Sequence, residues 1–246
     1  MIARLVIALV ASLMVYGSAV QAQERYAVRE GFKISAAKPV QIVVFRPDVN
    51  VGTLTTGGLN EPNADWTAAS RDLIATQLKA NDKIDGATVK FVEDLEGDDS
   101  SYLAEYRNLF RAVAQSIQIH KLFVGQRLPT KKKDFDWTLG EGTQRIATAT
   151  GADYALFMYT FDSYGSAGRK TAQIFGALLG VVVIPGIHIG YAGLVDLKTG
   201  DVVWFNADPQ MGGDVRTSEG ATKRVGQLLN GLPGRVEPTT VPPATK

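Results

Sequence analysis

The 246-residue chain contains no cysteine and only two histidines. The first absence excludes disulfides, thiolate metal centres, thiol nucleophiles and a cysteine-linked lipid anchor. His120 and His188 stand far apart, without the spacing of a metal-ligand pair, and neither a GxSxG elbow nor an HExxH helix occurs. An excess of one charge is lacking as well, with 26 Lys+Arg against 25 Asp+Glu. A chain so balanced is not built for electrostatic attraction to nucleic acid or anionic lipid. No internal repeat is visible.

What is present begins with Arg4, an apolar core from Leu5 to Val15 and the small residues Val20-Gln21-Ala22. This is the layout of a secretory signal peptide cut between Ala22 and Gln23, since the apolar core falls short of the ~20 residues of a membrane span. Loss of Arg4 with residues 1–22 leaves 25 charges of each sign. The expectation is an exported, periplasmic protein with a lead segment over 23–37 and one domain over 38–231. A Pro-rich tail over 232–246 is expected to be disordered.

Within the domain, VQIVVF (Val40 to Phe45) reads as a buried strand ended by Arg46-Pro47, and residues 46–62 as a long Gly-rich loop. Asn63 caps a helix carrying Trp66, Ala69, Leu73, Ile74 and Leu78 on one face. Thr88 to Val92 is a strand. A second helix carries Leu103, Tyr106, Phe110, Val113 and Ile117 at three-and-four spacing. A third, over 138–150, stops at Gly151. Tyr154 to Phe161 is a strand. In GYAGLVDLKTGDVVWFN, Gly200 supplies the positive φ of an antiparallel hairpin. A last helix starts near Thr217-Ser218 with Ala221, Val225, Leu228 and Leu229 inward. The pattern predicts a single α/β domain: a mixed sheet flanked by helices, a C-terminal antiparallel hairpin, then a final helix.

Chemistry-bearing patterns are few, and no cofactor, metal or catalytic residue is expected. His120 at a helix end suits the helix dipole, and His188 between Ile187 and Ile189 suits a strand. The acids Glu93, Asp94, Glu96, Asp98 and Asp99 precede a helix, and Gly97 is misplaced for an EF-hand loop. The Lys131 to Lys133 run is followed by Asp134 and Asp136 and reads as a solvated loop. Gly52 to Gly58 has phosphate-loop glycine spacing without its Lys and Ser/Thr. In Gly165 to Thr171, Arg169 displaces the lysine that would reach a phosphate.

VQIVVF, then GADYALFMYTFDSY, then GLVDLKTGDVVWFN together resemble the superfamily of the curli secretion channel lipoprotein, which also holds the lipoprotein activator of penicillin-binding proteins. The N-terminal domain of the Tol translocation protein is structurally akin. The matching residues are Gly151-Ala152-Asp153 and the hairpin from Val195 through Thr199-Gly200 to Trp204, and the order of elements agrees over residues 38–230. The resemblance implies a non-enzymatic envelope protein that binds partners or assembles into a complex. The chain departs from it in lacking the lipid-attachment cysteine. Its interval from Ala207 to Arg216 is also too short for a second membrane hairpin.

Residues 172–195, AQIFGALLGVVVIPGIHIGYAGLV, decide between functions. Pro185-Gly186 and five glycines make a poor membrane helix, and the run from Phe175 to Ile184 lacks the alternation of a barrel strand. The favoured reading is core: a short helix or strand to Ile184, a turn at Pro185-Gly186, then a strand from Ile187 to Leu197. An exposed surface for self-assembly or a partner, with Phe175, Leu178, Leu179, Val181 and Val183 as interface residues, is the second reading, and membrane contact the third. The function expected is an envelope assembly or scaffold protein binding periplasmic or outer-membrane components. The alternatives are an outer-membrane secretion or pore component using residues 172–195, and a small-ligand binder using the Gly52–Gly58 loop.

Overall fold

The structure is a computed structural model, and it describes residues 26–122, 124–131 and 134–236. The expected cleavage site at Ala22 and Gln23, together with Lys132 and Lys133, lies outside the described residues.

The elements run β1 (Tyr26–Val28), β2 (Val40–Phe45), β3 (Asp48–Leu54), β4 (Asn60–Pro62), α1 (Ala64–Ala80), β5 (Ala87–Val92), α2 (Asp98–Ile117), α3 (Thr143–Thr150), β6 (Tyr154–Gly165), α4 (Ala167–Leu178), β7 (Gly186–Asp196), β8 (Val202–Asp208) and α5 (Ser218–Leu228). The strands form one mixed sheet ordered β1-β8-β7-β6-β2-β5, with β3 continuing beside β6 and β4 paired to β3. Strands β2, β5, β6 and β3 pair in parallel, and β6, β7, β8 and β1 pair antiparallel. The domain is thus α/β with a mixed sheet, flanking helices and a final helix, as the sequence pattern predicts.

Period-2 alternation splits the core between the two faces of the sheet. Ile42 and Val44 pack with Ile74 and Leu78 of α1 and Val225 and Leu228 of α5. Val43 and Phe45 pack with Leu103, Phe110 and Ile117 of α2 and Ile146 of α3. Local signals set the helix ends. The Asn63 side chain accepts the Trp66 N–H at 2.9 Å, and the Thr217 hydroxyl accepts that of Gly220 at 3.1 Å. Gly151 ends α3 in the left-handed region at φ 71°.

Several expectations are corrected. Much of the anticipated Gly-rich loop is the β3–β4 hairpin, in which Gly52 lies opposite Pro62. A Cβ at Gly52 would stand 2.5 Å from the Glu61 carbonyl oxygen, so glycine there serves close strand packing. The Thr55 N–H and Gly58 N–H donate to carbonyls within that turn, which leaves them unavailable to a phosphate. The lead segment contributes β1 to the sheet. Helix α3 starts at Thr143, because Thr138 is instead bridged to Asp201 beside the Gly200 turn. At the other end, Leu232 is buried and Arg235 bridges Ile84, so residues 232–236 are packed on the domain.

Candidate functional site

Strands β6 and β7 pair over their full length, from Tyr154 opposite Asp196 to Tyr164 opposite Gly186. Their connection is not a tight turn but a helical excursion. The Ser166 side chain caps α4 by accepting the Arg169 N–H at 3.2 Å. The helix ends on Gly180, at φ 72°, where Val181 N–H donates to the Gly176 carbonyl at 2.7 Å and Gly180 N–H to that of Ala177 at 3.2 Å. This pair of bonds is a Schellman ending, and it folds residues 181–185 back along the helix.

The returning strap is tied down at three points. Gln173 Nε2 donates to the Val183 carbonyl at 3.0 Å, and Arg169 Nε to that of Ile184 at 2.7 Å. Gly176 supplies the third, since a Cβ there would lie 2.9 Å from the Val181 carbonyl oxygen. Arg169 also donates to the Thr55 carbonyl at 3.0 Å, which joins the base of the excursion to the β3–β4 turn.

The expectation that residues 172–184 belong to the core is not met. No residue of α4 is buried. Both faces of the sheet are already covered by α1 with α5 and by α2 with α3, so a helix inserted at the end of the β6–β7 hairpin projects past the sheet. Phe175, Leu178, Leu179 and Val181 of the anticipated interface set are exposed, Leu179 at 80%, and Val183, within the strap, is half-buried against the helix at Gly176. Ile174, Val182 and Ile184 are exposed with them, Val182 at 91%. Sequence reasoning left these three out, although the whole run from Ser163 to Val195 contains no acidic residue. Contiguous exposed apolar side chains of this kind mark interaction surfaces. Only from Gly190 onward does the stretch become core strand, as expected for its second half.

Beneath the excursion lies a polar cluster. Asp162 of β6 is fully buried and receives Arg224 Nη1 and Nη2 at 2.7 Å each, His188 Nδ1 at 2.7 Å and the Thr160 hydroxyl at 2.9 Å. Burial alone would raise its pKa; the bonds from His188, Arg224 and Thr160 outweigh this and hold the carboxyl below its ordinary range. Above it, Asp214 grips Arg216 with both oxygens, at 2.8 and 2.6 Å, and the bonds from Arg216 lower its pKa to about 2. The Arg216 guanidinium lies 3.8 Å from the Tyr164 ring centroid and 4.4 Å from that of Trp66. Burial, then the charge of Asp162, pushes the Tyr164 hydroxyl up.

Among the described residues no side chain hydrogen-bonds His188 Nε2, so the Asp162–His188 pair has no nucleophile set against it. Its bonds fasten β6, β7 and α5 together at the foot of the apolar element. His120 sits in a single π-turn after α2, with Nδ1 3.1 Å from the Gln126 carbonyl oxygen. Lys131 is paired with Asp136 at 2.7 Å. The acids from Glu93 to Asp99 approach and open α2, and no group of three metal-ligating side chains occurs among the described residues.

No protein-family model matches the chain, and no curated protein sequence matches it. Among solved structures, the chain is similar to the PelC dodecamer of Paraburkholderia phytofirmans at 12% identity and a TM-score of 0.40, covering 86% of this chain and 97% of that one. Lipoprotein GNA1162 of Neisseria meningitidis is 14% identical with a TM-score of 0.29, over 69% of this chain and 78% of that one. The C-terminal domain of LpoB from Salmonella enterica is 15% identical with a TM-score of 0.25, over 73% and 85%.

Proposed function

We propose that the chain is an exported, non-enzymatic envelope protein that docks other periplasmic or outer-membrane proteins through α4 and its strap. The single observation behind this reading is the apolar, unpartnered surface of Phe175, Leu178, Leu179, Val181 and Val182, held out on a braced hairpin. A mobile loop would lose much of its binding free energy to ordering. A helix pinned by Arg169, Gln173 and Gly176 has already met that cost. The envelope setting follows from the signal-peptide layout and the sequence resemblance.

The test is photocrosslinking in cells with a reactive residue at Val182 or Leu179, and at the exposed Thr76 as control. Protein adducts at the first two positions and none at the third are expected. Equal labelling at all three would remove the docking role from α4.

A second reading is contact with a lipid surface. The observation favouring it is the lack of any acid from Ser163 to Val195, with Arg169 and Lys170 at the helix base. No helix among the described residues is long and apolar enough to cross a membrane. Helix α4 has 12 residues, about 18 Å at 1.5 Å per residue, so contact through it would be interfacial. Flotation of the purified chain with anionic and zwitterionic vesicles distinguishes this reading from protein docking.

A further inference from the structure

Away from the apolar helix, one margin of the sheet is left open. The path β1-β8-β7-β6-β2-β5 ends on β1 and on β5, and β4 forms a further margin beside β3. Natural sheets blunt such margins by shortness, proline or charge, because a bare edge accepts another strand. Strand β1 has three residues, and β4 has three that end in Pro62. Strand β5 has six residues and no proline, a length of about 20 Å at 3.3 Å per residue.

The register of β5 shows which of its backbone groups are already used. Val40 N–H donates to the Gly86 carbonyl at 3.0 Å and Arg46 N–H to that of Val92 at 3.2 Å, and β2 and β5 keep one parallel register between these points. In such a pair, alternate residues turn both backbone groups towards the neighbouring strand. Thr88, Lys90 and Val92 therefore face β2, whereas Ala87, Val89 and Phe91 face away from it. The Ala87 N–H is taken by the Ile84 carbonyl at 3.1 Å. Among the described residues, no group hydrogen-bonds the backbone of Val89 or Phe91 on this outer side. Two N–H and two C=O groups stand there in a row.

The side chains of β5 define what fits. Val89 and Phe91 are half-buried on the face that packs with Ile74 and Leu78 of α1. Thr88 and Lys90 are exposed, and Lys90 makes one long bond, from Nζ to the Thr150 carbonyl at 3.4 Å. Glu93 and Asp94 are exposed just beyond the strand. Cross-strand neighbours favour apolar beside apolar and opposite charges side by side. An added strand would alternate apolar with polar residues, set an acid beside Lys90 and carry a base towards Glu93. A second copy of β5 suits the edge less well. The antiparallel register that sets Val89 against Phe91 also sets the two Lys90 side chains opposite each other, and like charges so placed repel.

We infer that the outer edge of β5 is a strand-addition site. An extended segment of a second protein, alternating apolar with polar residues and acidic beside Lys90, pairs with the backbone of Val89 and Phe91 and continues the sheet. The site is separate from α4 and its strap, and it stands whether or not α4 docks a partner.

Amide hydrogen exchange of the full chain, read residue by residue by NMR, tests the inference, with the acetylated and amidated peptide TVEVTVK as probe. In the free chain, the amides of Val89 and Phe91 should exchange about tenfold or more faster than those of Thr88, Lys90 and Val92. Peptide at about 1 mM should slow Val89 and Phe91 to the rate of their neighbours. Val89→Pro removes an outward N–H and leaves the β2 ladder intact, since proline is tolerated where an edge N–H faces solvent. It should abolish the protection of Phe91 by the peptide. Lys90→Glu should weaken TVEVTVK about threefold and make the charge-exchanged peptide TVKVTVE the tighter of the two; if Val89→Pro does not fold, this reversal decides. The inference is overturned if Val89 and Phe91 are as slow as their neighbours in the free monomer, or if neither peptide protects them. Protection that survives both substitutions overturns it equally. So does slow exchange that appears only at concentrations where sedimentation shows a dimer, which would assign the edge to a second copy of the chain.

Discussion

Asp162 and Arg224 form a two-pronged ion pair, 2.7 Å on each side, with both side chains wholly out of solvent. One comes from the long strand β6 and the other from the final helix, so the pair joins the hairpin that raises α4 to the body of the domain. Removing one partner leaves the other charged and uncompensated in the interior. Asp162→Asn is therefore expected to cost about 3–5 kcal/mol, read as a lowered midpoint in urea denaturation. A loss under 1 kcal/mol would mean that the pair contributes little at this position.

The same carboxyl gives the fold an acid limit. Its folded-state pKa is depressed, so its contribution is fully present above the ordinary carboxylate value of about 4 and is lost as pH falls through the lower, folded value. Asp214, at about 2, acts in the same direction over the window from about 4 to 2, weakened by its partial exposure. Stability measured between pH 5 and pH 2 should fall steeply below pH 4, and Asp162→Asn should flatten that fall. An unchanged profile in the variant would assign acid sensitivity to other groups.

Side chains that meet no protein can be made polar without harm to the fold. The double substitution Leu179→Gln and Val182→Gln is expected to leave stability within about 0.5 kcal/mol and to abolish partner or vesicle capture. Both effects are read on one preparation, by thermal melting and by crosslinking or flotation. A loss of 2 kcal/mol or more would show that these residues are buried in solution.

Legibility in the sequence followed how local each signal was. VQIVVF, the Asn63 cap, the Gly151 stop and the Gly200 turn are complete within a few residues, and each stands where the sequence places it. Strand β3 was hidden because Asp48, Asn50 and Gly52 alternate with Val49 and Val51, and its flanks read as loop. Strand β6 runs past Phe161 because Asp162 and Ser163 are polar yet buried, with partners that only the fold brings to them: Arg224 and Asn60. The apolar run of α4 has the composition of a core. Its exposure follows from where the β6–β7 hairpin points and from both sheet faces being already covered, neither of which composition records.

The strap tests whether the docking element is a defined structure or merely an apolar loop. Gly176 faces the returning chain, and a β-branched side chain there would meet the Val181 carbonyl oxygen and the Val183 Cγ2, which lie 2.9 and 3.2 Å from the added Cβ. The helix can tolerate the substitution, because α4 is exposed and touches no core, whereas the strap cannot keep its place. Gly176→Val should leave the global unfolding midpoint nearly unchanged. It should also make the bonds before Leu178, Leu179 and Val181 several-fold more sensitive to thermolysin and weaken crosslinking at Val182. Gly176→Ala should do the same to a smaller extent, because a lone Cβ still stands within 2.9 Å of a carbonyl. If both variants cleave at the wild-type rate while crosslinking persists, partners recognise the apolar side chains without needing the strap, and Arg169 and Gln173 would lose their role in presenting them.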